Sequence, residues 1–163
     1  MKAEHVNPFI ISVSKIMKDI CMLDLKMGKP FVKDDKYEGD SSLIKLGIIG
    51  ALKGEVVLSL HYETALAIIS KMMMMPVSEI DAIGQSAISE LGNMIAGNAA
   101  TVFANDGIII DITTPDYCTG KEHDESGKQM FCVPFTSDIG ELSINNEGQT
   151  IKFTTDNNNV DDL

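Results

Sequence analysis

Ser78-Glu-Ile-Asp81-Ala-Ile-Gly-Gln-Ser86-Ala-Ile-Ser-Glu90-Leu-Gly-Asn93-Met-Ile-Ala-Gly97-Asn-Ala-Ala-Thr-Val102-Phe-Ala104 carries the periodicity of one long helix, and the fold class follows from what surrounds it. Ser78 with Asp81 forms a capping-box-like start, and Asn105-Asp-Gly107 supplies the stop. Ile80, Ile83, Ala87, Leu91, Met94, Ile95 and Val102 are the expected core face. Upstream, Glu63 to Met75 reads as a second helix ended by Pro76. Before it, Leu43 to Ile49 and Glu55 to His61 are strand-like runs joined through Gly50 and Gly54, the pattern of a hairpin.

Further outward, Asn7-Pro8 suits the cap and first residue of a helix from Pro8 to Met22, with Phe9, Val13, Ile16, Met17 and Ile20 at helical spacing. Pro30 to Tyr37 is a candidate edge strand. After the long helix, Ile108 to Ile112 reads as a buried strand, Lys121 to Gly127 as a charged hairpin tip, and Gln129 to Thr136 with Gly140 to Asn145 as another strand pair. This order lacks regular βαβ alternation, so the expected class is α+β, a largely antiparallel sheet with helices packed on it. Residues 1–154 are expected to form one domain and residues 155–163 a disordered acidic tail.

With 163 residues, 44% of them hydrophobic, the chain can bury one sizeable core. A net charge of -11 argues against binding nucleic acid or an anionic membrane surface. Three widely spaced cysteines, Cys21, Cys118 and Cys132, fit neither a disulfide framework nor a zinc site. Without a run of about 20 apolar residues or an apolar N-terminal leader, the expectation is a cytoplasmic protein with no membrane insertion. The Met72 to Met75 run is expected to fill core space.

Helical steps of about 100° place Ser86, Glu90 and Asn93 within roughly 60° of arc, beside the apolar face, with Gly97 on the same line. A carboxylate and a carboxamide one turn apart can dock on a cation and hold a water, yet supply no strong nucleophile. That chemistry suits assisted hydrolysis of a phosphate carried by another protein. Scattered His5, His61 and His123 offer no metal-ligand pair, and the spacing of Gly47, Gly50 and Gly54 fits neither nucleotide-binding motif, so no bound metal or cofactor is expected. Asn98 falls on the apolar side, where a satisfied structural amide is expected.

Ser86-x3-Glu90-x2-Asn93, followed 22 residues later by Pro115, resembles the signature of the CheC/CheX/FliY phosphatases of bacterial chemotaxis. Gly47-Ile-Ile-Gly50, Lys53-Gly54-Glu-Val, Glu63-Thr-Ala-Leu66, Ala96-Gly97 and Asp111-Ile-Thr-Thr-Pro115 resemble the CheX branch in order and spacing. The first helix has Ile16 and Asp19 where a second Glu-x2-Asn would fall, so one site per chain favours that branch. The resemblance implies a layered fold, a homodimer, and hydrolysis of the aspartyl phosphate of a CheY-type response regulator. It implies Asn93 orienting the attacking water, Glu90 pairing with the regulator's lysine, and magnesium supplied by the regulator. Ser86, Gly97 and Pro115 are then positioning residues. The rival reading is a non-catalytic module that docks a regulator or motor component.

Overall fold

The computed structural model describes residues 3–146, 152–154 and 160–162. Helices α1 (Ala3–Cys21), α2 (Tyr62–Met73) and α3 (Ala82–Asn105) pack on a sheet of β1 (Lys26–Met27), β2 (Phe31–Asp34), β3 (Ser42–Gly50), β4 (Leu52–Leu60), β5 (Ile110–Ile112), β6 (Asp116–Thr119), β7 (Gln129–Ser137) and β8 (Gly140–Asn146). Two short strands, β9 (Lys152–Thr154) and β10 (Val160–Asp162), pair with each other. The path runs β1-β7-β8-β4-β3-β5, every ladder is antiparallel, and β2 also pairs with β7. The α+β class is therefore the observed one. Among the described residues no helix is long and apolar enough to cross a membrane.

Alternation along the central hairpin builds the core. Ile44, Leu46 and Ile48 of β3 and Val56, Leu58 and Leu60 of β4 face the helices, meeting Ile68 and Ile69 of α2 and Leu91, Ile95 and Phe103 of α3 in one cluster. From α1 come Phe9, Val13 and Met17, and the Phe9 ring meets Phe103 edge-on at 5.8 Å.

Several sequence expectations need correction. The first helix begins at Ala3, so Pro8 lies inside it: burial of Val6 and Phe9 outweighs the single backbone bond that proline removes. The core face of α3 is rotated from the expected one; Gly84, Ile88, Leu91, Gly92, Ile95, Ala96, Ala99 and Phe103 are buried, Ile83 is 63% exposed and Ile80 precedes the helix. Small residues win because the helix lies close on the sheet: a Cβ on Gly92 would stand 2.6 Å from Ile44 Cγ2. The helix is capped by Asp81, whose Oδ1 accepts the Gly84 N–H at 2.8 Å, rather than by Ser78.

Ile110–Ile112 is an edge strand, not a buried one, and Ile109 beside it is 67% exposed. The segment 121–127 joins β6 to β7, which are not partners, so it is a crossing connection and not a hairpin tip. Met72 and Met73 pack on the core, but Met74 and Met75 are exposed where Met74, in the left-handed region, ends α2. Of the expected tail, Val160–Asp162 pairs with Lys152–Thr154. Residues 155–159 and 163, and with them that expectation, lie outside the described residues.

Candidate functional site

Close seating of α3 fixes the direction of its neighbouring stripe. With Leu91, Gly92, Ile95 and Ala96 turned to the sheet, Ser86, Glu90, Asn93 and Gly97 are all exposed. Asn98, one step round the helix, donates from Nδ2 to Ser12 Oγ at 2.9 Å, and that hydroxyl donates to Pro8 O at 2.6 Å, tying α3 to α1. It is the structural amide that its apolar setting suggested.

Opposite the stripe stands an interrupted edge strand. Both β5 and β6 pair with β3, but between the Ile48–Ile112 and Lys45–Asp116 pairs β3 moves by three residues and the edge strand by four. The extra residue makes a bulge at Thr113-Thr114-Pro115. Proline, having no N–H to give the ladder, suits such a place. Pro115 thus interrupts the edge strand, which resumes at Asp116.

Between helix and bulge lies an open cleft of about 700 Å³ lined by Ala82, Gln85, Ser86, Ser89, Glu90, Asn93, Ile112, Thr113, Thr114, Pro115 and Tyr117. Four of the five residues singled out from sequence, Ser86, Glu90, Asn93 and Pro115, meet there. Gly97 does not line it; it continues the exposed stripe one turn beyond Asn93, and nothing lies within 4 Å of where its Cβ would be. Among the described residues no hydrogen bond joins Ser86 to Glu90. Gln85 and Ser89 were missed although they stand about two turns and one turn before Asn93 on its own i, i+4 row. Tyr117 was missed because its strand was not recognised; its hydroxyl lies 2.9 Å from Ser42 Oγ, and burial pushes the phenol up.

Among the described residues the cleft holds one carboxylate, two carboxamides, the half-buried Gln85 and the exposed Asn93, and several hydroxyls, with no histidine or cysteine on its walls. Among the described residues no cleft hydroxyl is hydrogen-bonded to a base, so the cleft has no activated nucleophile of its own. What it offers is a charged contact and an amide able to accept and donate hydrogen bonds at one point. Among the described residues no group of three or more His, Cys, Asp and Glu is arranged to hold a metal ion. A second cleft, about 290 Å³, includes Lys33, His61, Cys132 and Glu141. Burial pushes its Cys132 thiol up, against a smaller lowering by Ser143, which leaves a poor nucleophile.

Comparison with known proteins identifies the family. The family model for the chemotaxis phosphatase CheX matches residues 43–136, a span that includes the whole cleft. The CheY-P phosphatase CheX of Thermotoga maritima is 36% identical over 123 residues, 75% of this chain and 79% of that protein. A CheC-like superfamily protein from Shewanella sp. PV-4 superposes with a TM-score of 0.78 at 29% identity, covering 89% of this chain and 97% of that one. In the CheX-CheY-BeF3-Mg2+ complex from Borrelia burgdorferi, the matching chain superposes with a TM-score of 0.73 at 26% identity, covering 88% of this chain and 97% of its own.

Proposed function

Because the chain belongs to the CheX family of chemotaxis phosphatases, we propose that its cleft completes the active site of a phosphorylated response regulator, with Asn93 orienting water and Glu90 holding the regulator's lysine. The protein accelerates hydrolysis of the aspartyl phosphate of a CheY-type regulator. The observation that carries the reading is that Glu90 and Asn93 stand exposed, one turn apart, on a cleft that lacks an activated nucleophile of its own.

In this reaction a water oxygen bonds to phosphorus as the bond from phosphorus to the aspartyl oxygen breaks. The aspartate carboxylate leaves with the electron pair, and inorganic phosphate departs with the oxygen from water. Phosphoryl transfer has a loose transition state, so placing the water matters more than a strong base. The Asn93 amide oxygen accepts a hydrogen bond from the water while its NH2 group donates to the phosphoryl side, holding the water in line. Glu90, about 5 to 6 Å away at Cβ by helical geometry, pairs with the regulator's lysine and sets the register of docking. Magnesium and the phosphorylated aspartate come with the regulator; the Borrelia burgdorferi complex contains CheY and Mg2+ together.

Ser86 shapes the cleft before Glu90, Pro115 forms part of the facing wall, and Gly97 keeps the ridge low enough for a partner backbone to approach. The protein works as a cytoplasmic homodimer with one such site per chain. Candidate regulators labelled with acetyl phosphate provide the test: the protein shortens the life of the phosphorylated form of its cognate regulator. A regulator that binds in pull-down but loses phosphate only at its spontaneous rate would identify a docking module instead.

A further inference from the structure

Thr113 stands where the edge strand slips register, and it takes both edge-facing backbone groups of Gly47. Its N–H donates to Gly47 O at 2.9 Å, and its Oγ1 accepts the Gly47 N–H at 2.9 Å. A side chain thus replaces the ladder acceptor that the bulge has displaced. Only glycine permits this: a Cβ at position 47 would stand 2.7 Å from Thr113 Oγ1 and 2.9 Å from its Cγ2.

The consequence falls on the cleft. Ile112 and Tyr117, at either side of the bulge, pack against the core, whereas Thr113 and Thr114 are exposed and Pro115 is half-buried. Thr114 and Pro115 bridge the two packed ends, and neither takes part in a described hydrogen bond. The Thr113–Gly47 clamp is the hydrogen-bonded tie immediately before them. We infer that Thr113 is a positioning residue for the phosphatase reaction, fixing the Thr114–Pro115 wall against which the regulator docks opposite Glu90 and Asn93. The inference rests on the function proposed above. The clamp governs how tightly the regulator is held and not how fast the bound phosphate is hydrolysed.

Thr113→Val keeps the shape and removes the acceptor; Thr113→Ser keeps the acceptor. Steady-state dephosphorylation of the cognate regulator, with binding of the beryllofluoride- and Mg2+-loaded regulator measured in parallel, separates the two. The Val variant should raise KM and Kd about five- to tenfold with kcat within about twofold, and the Ser variant should stay within about twofold of wild type in all three. Should the Val variant fail to fold, Thr113→Ala removes the same hydroxyl without misplaced bulk and is judged by the same criterion. Unchanged KM and Kd, or parallel losses in the Val and Ser variants, overturns the inference. Including Asn93→Ala distinguishes the failures: full activity in that variant sinks the proposed function, whereas its inactivity beside an unchanged Thr113→Val sinks the clamp alone.

Discussion

Two glycines on α3, five residues apart, should respond oppositely to the same added methyl. At Gly97 the methyl meets nothing within 4 Å, so alanine's better helix propensity, about 0.5 to 1 kcal/mol, stabilises the protein without opposition. At Gly92 it would stand 2.6 Å from Cγ2 of Ile44, a fully buried, β-branched side chain that cannot simply swing aside. Overpacking costs about 1 to 3 kcal/mol, and a 2.6 Å contact belongs in the upper half of that range, about 2 to 3, so after a propensity gain of about 1 kcal/mol a net loss of about 1 to 2 kcal/mol is expected. For a domain of this size, 1 kcal/mol is worth roughly 2 to 4 °C in Tm. Thermal unfolding should therefore place Gly97→Ala about 1 to 4 °C above wild type and Gly92→Ala about 2 to 8 °C below. Phosphatase activity should nevertheless fall in Gly97→Ala, because the methyl rises into the docking ridge. A Gly92→Ala protein as stable as wild type would refute the close seating of the helix, and with it the direction in which Glu90 and Asn93 point.

Glu90→Gln should lower kcat/KM about 10- to 100-fold, chiefly through KM, since a hydrogen bond to a charged group is worth about 1.5 to 3 kcal/mol. The same variant should flatten the salt dependence of regulator binding, read by titration at two ionic strengths. Asp35 is buried; burial pushes its carboxyl up, but bonds from Ser126 N at 2.6 Å and Oγ at 2.7 Å, with His123 Nε2 3.6 Å away, prevail and hold it below the ordinary carboxylate range. A lowered folded-state value contributes stability that is present above the unfolded value, about pH 3.9, and is lost as pH falls through the lower folded one. Asp35→Asn should cost about 1 to 3 kcal/mol near neutral pH and remove that acid-side step, as urea midpoints across pH 2 to 7 will show.

The central hairpin, the Gln129–Asn145 strand pair and the long helix are legible in the sequence because each carries a strong local period with turn signals at its ends. Ser86, Glu90 and Asn93 could be put on one line by helical geometry alone, and their association with Pro115 rested on the family resemblance. Which way α3 turns was not legible: hydrophobicity favours Ile83, Met94 and Val102, whereas a close helix–sheet contact selects Gly84, Gly92, Ala96 and Ala99. The second half of the edge strand was also hidden, since Asp116-Tyr-Cys-Thr119 is short and follows proline, and its pairing with Ser42–Lys45 is a long-range property. Nor could spacing bring Asp35 to Ser126, 91 residues away. Their contact follows from the long-range β2–β7 pairing, which sets Asp34 opposite Gln129 and carries on through Asp35 N–H to Lys128 O at 3.3 Å, with Tyr37 packed edge-on to His123 at 5.1 Å.

Asn93→Ala isolates the amide. The side chain is exposed and alanine is the better helix former, so folding should be unaffected while about 2 to 4 kcal/mol of transition-state stabilisation is lost. The decisive measurement is the decay rate of the phosphorylated cognate regulator at saturating Asn93→Ala protein, with binding of the beryllofluoride- and Mg2+-loaded regulator measured on the same sample. Decay should be about 30- to 1000-fold slower than with wild type, at binding within a few fold of wild type. Wild-type decay rates with the amide removed would contradict a catalytic role for Asn93.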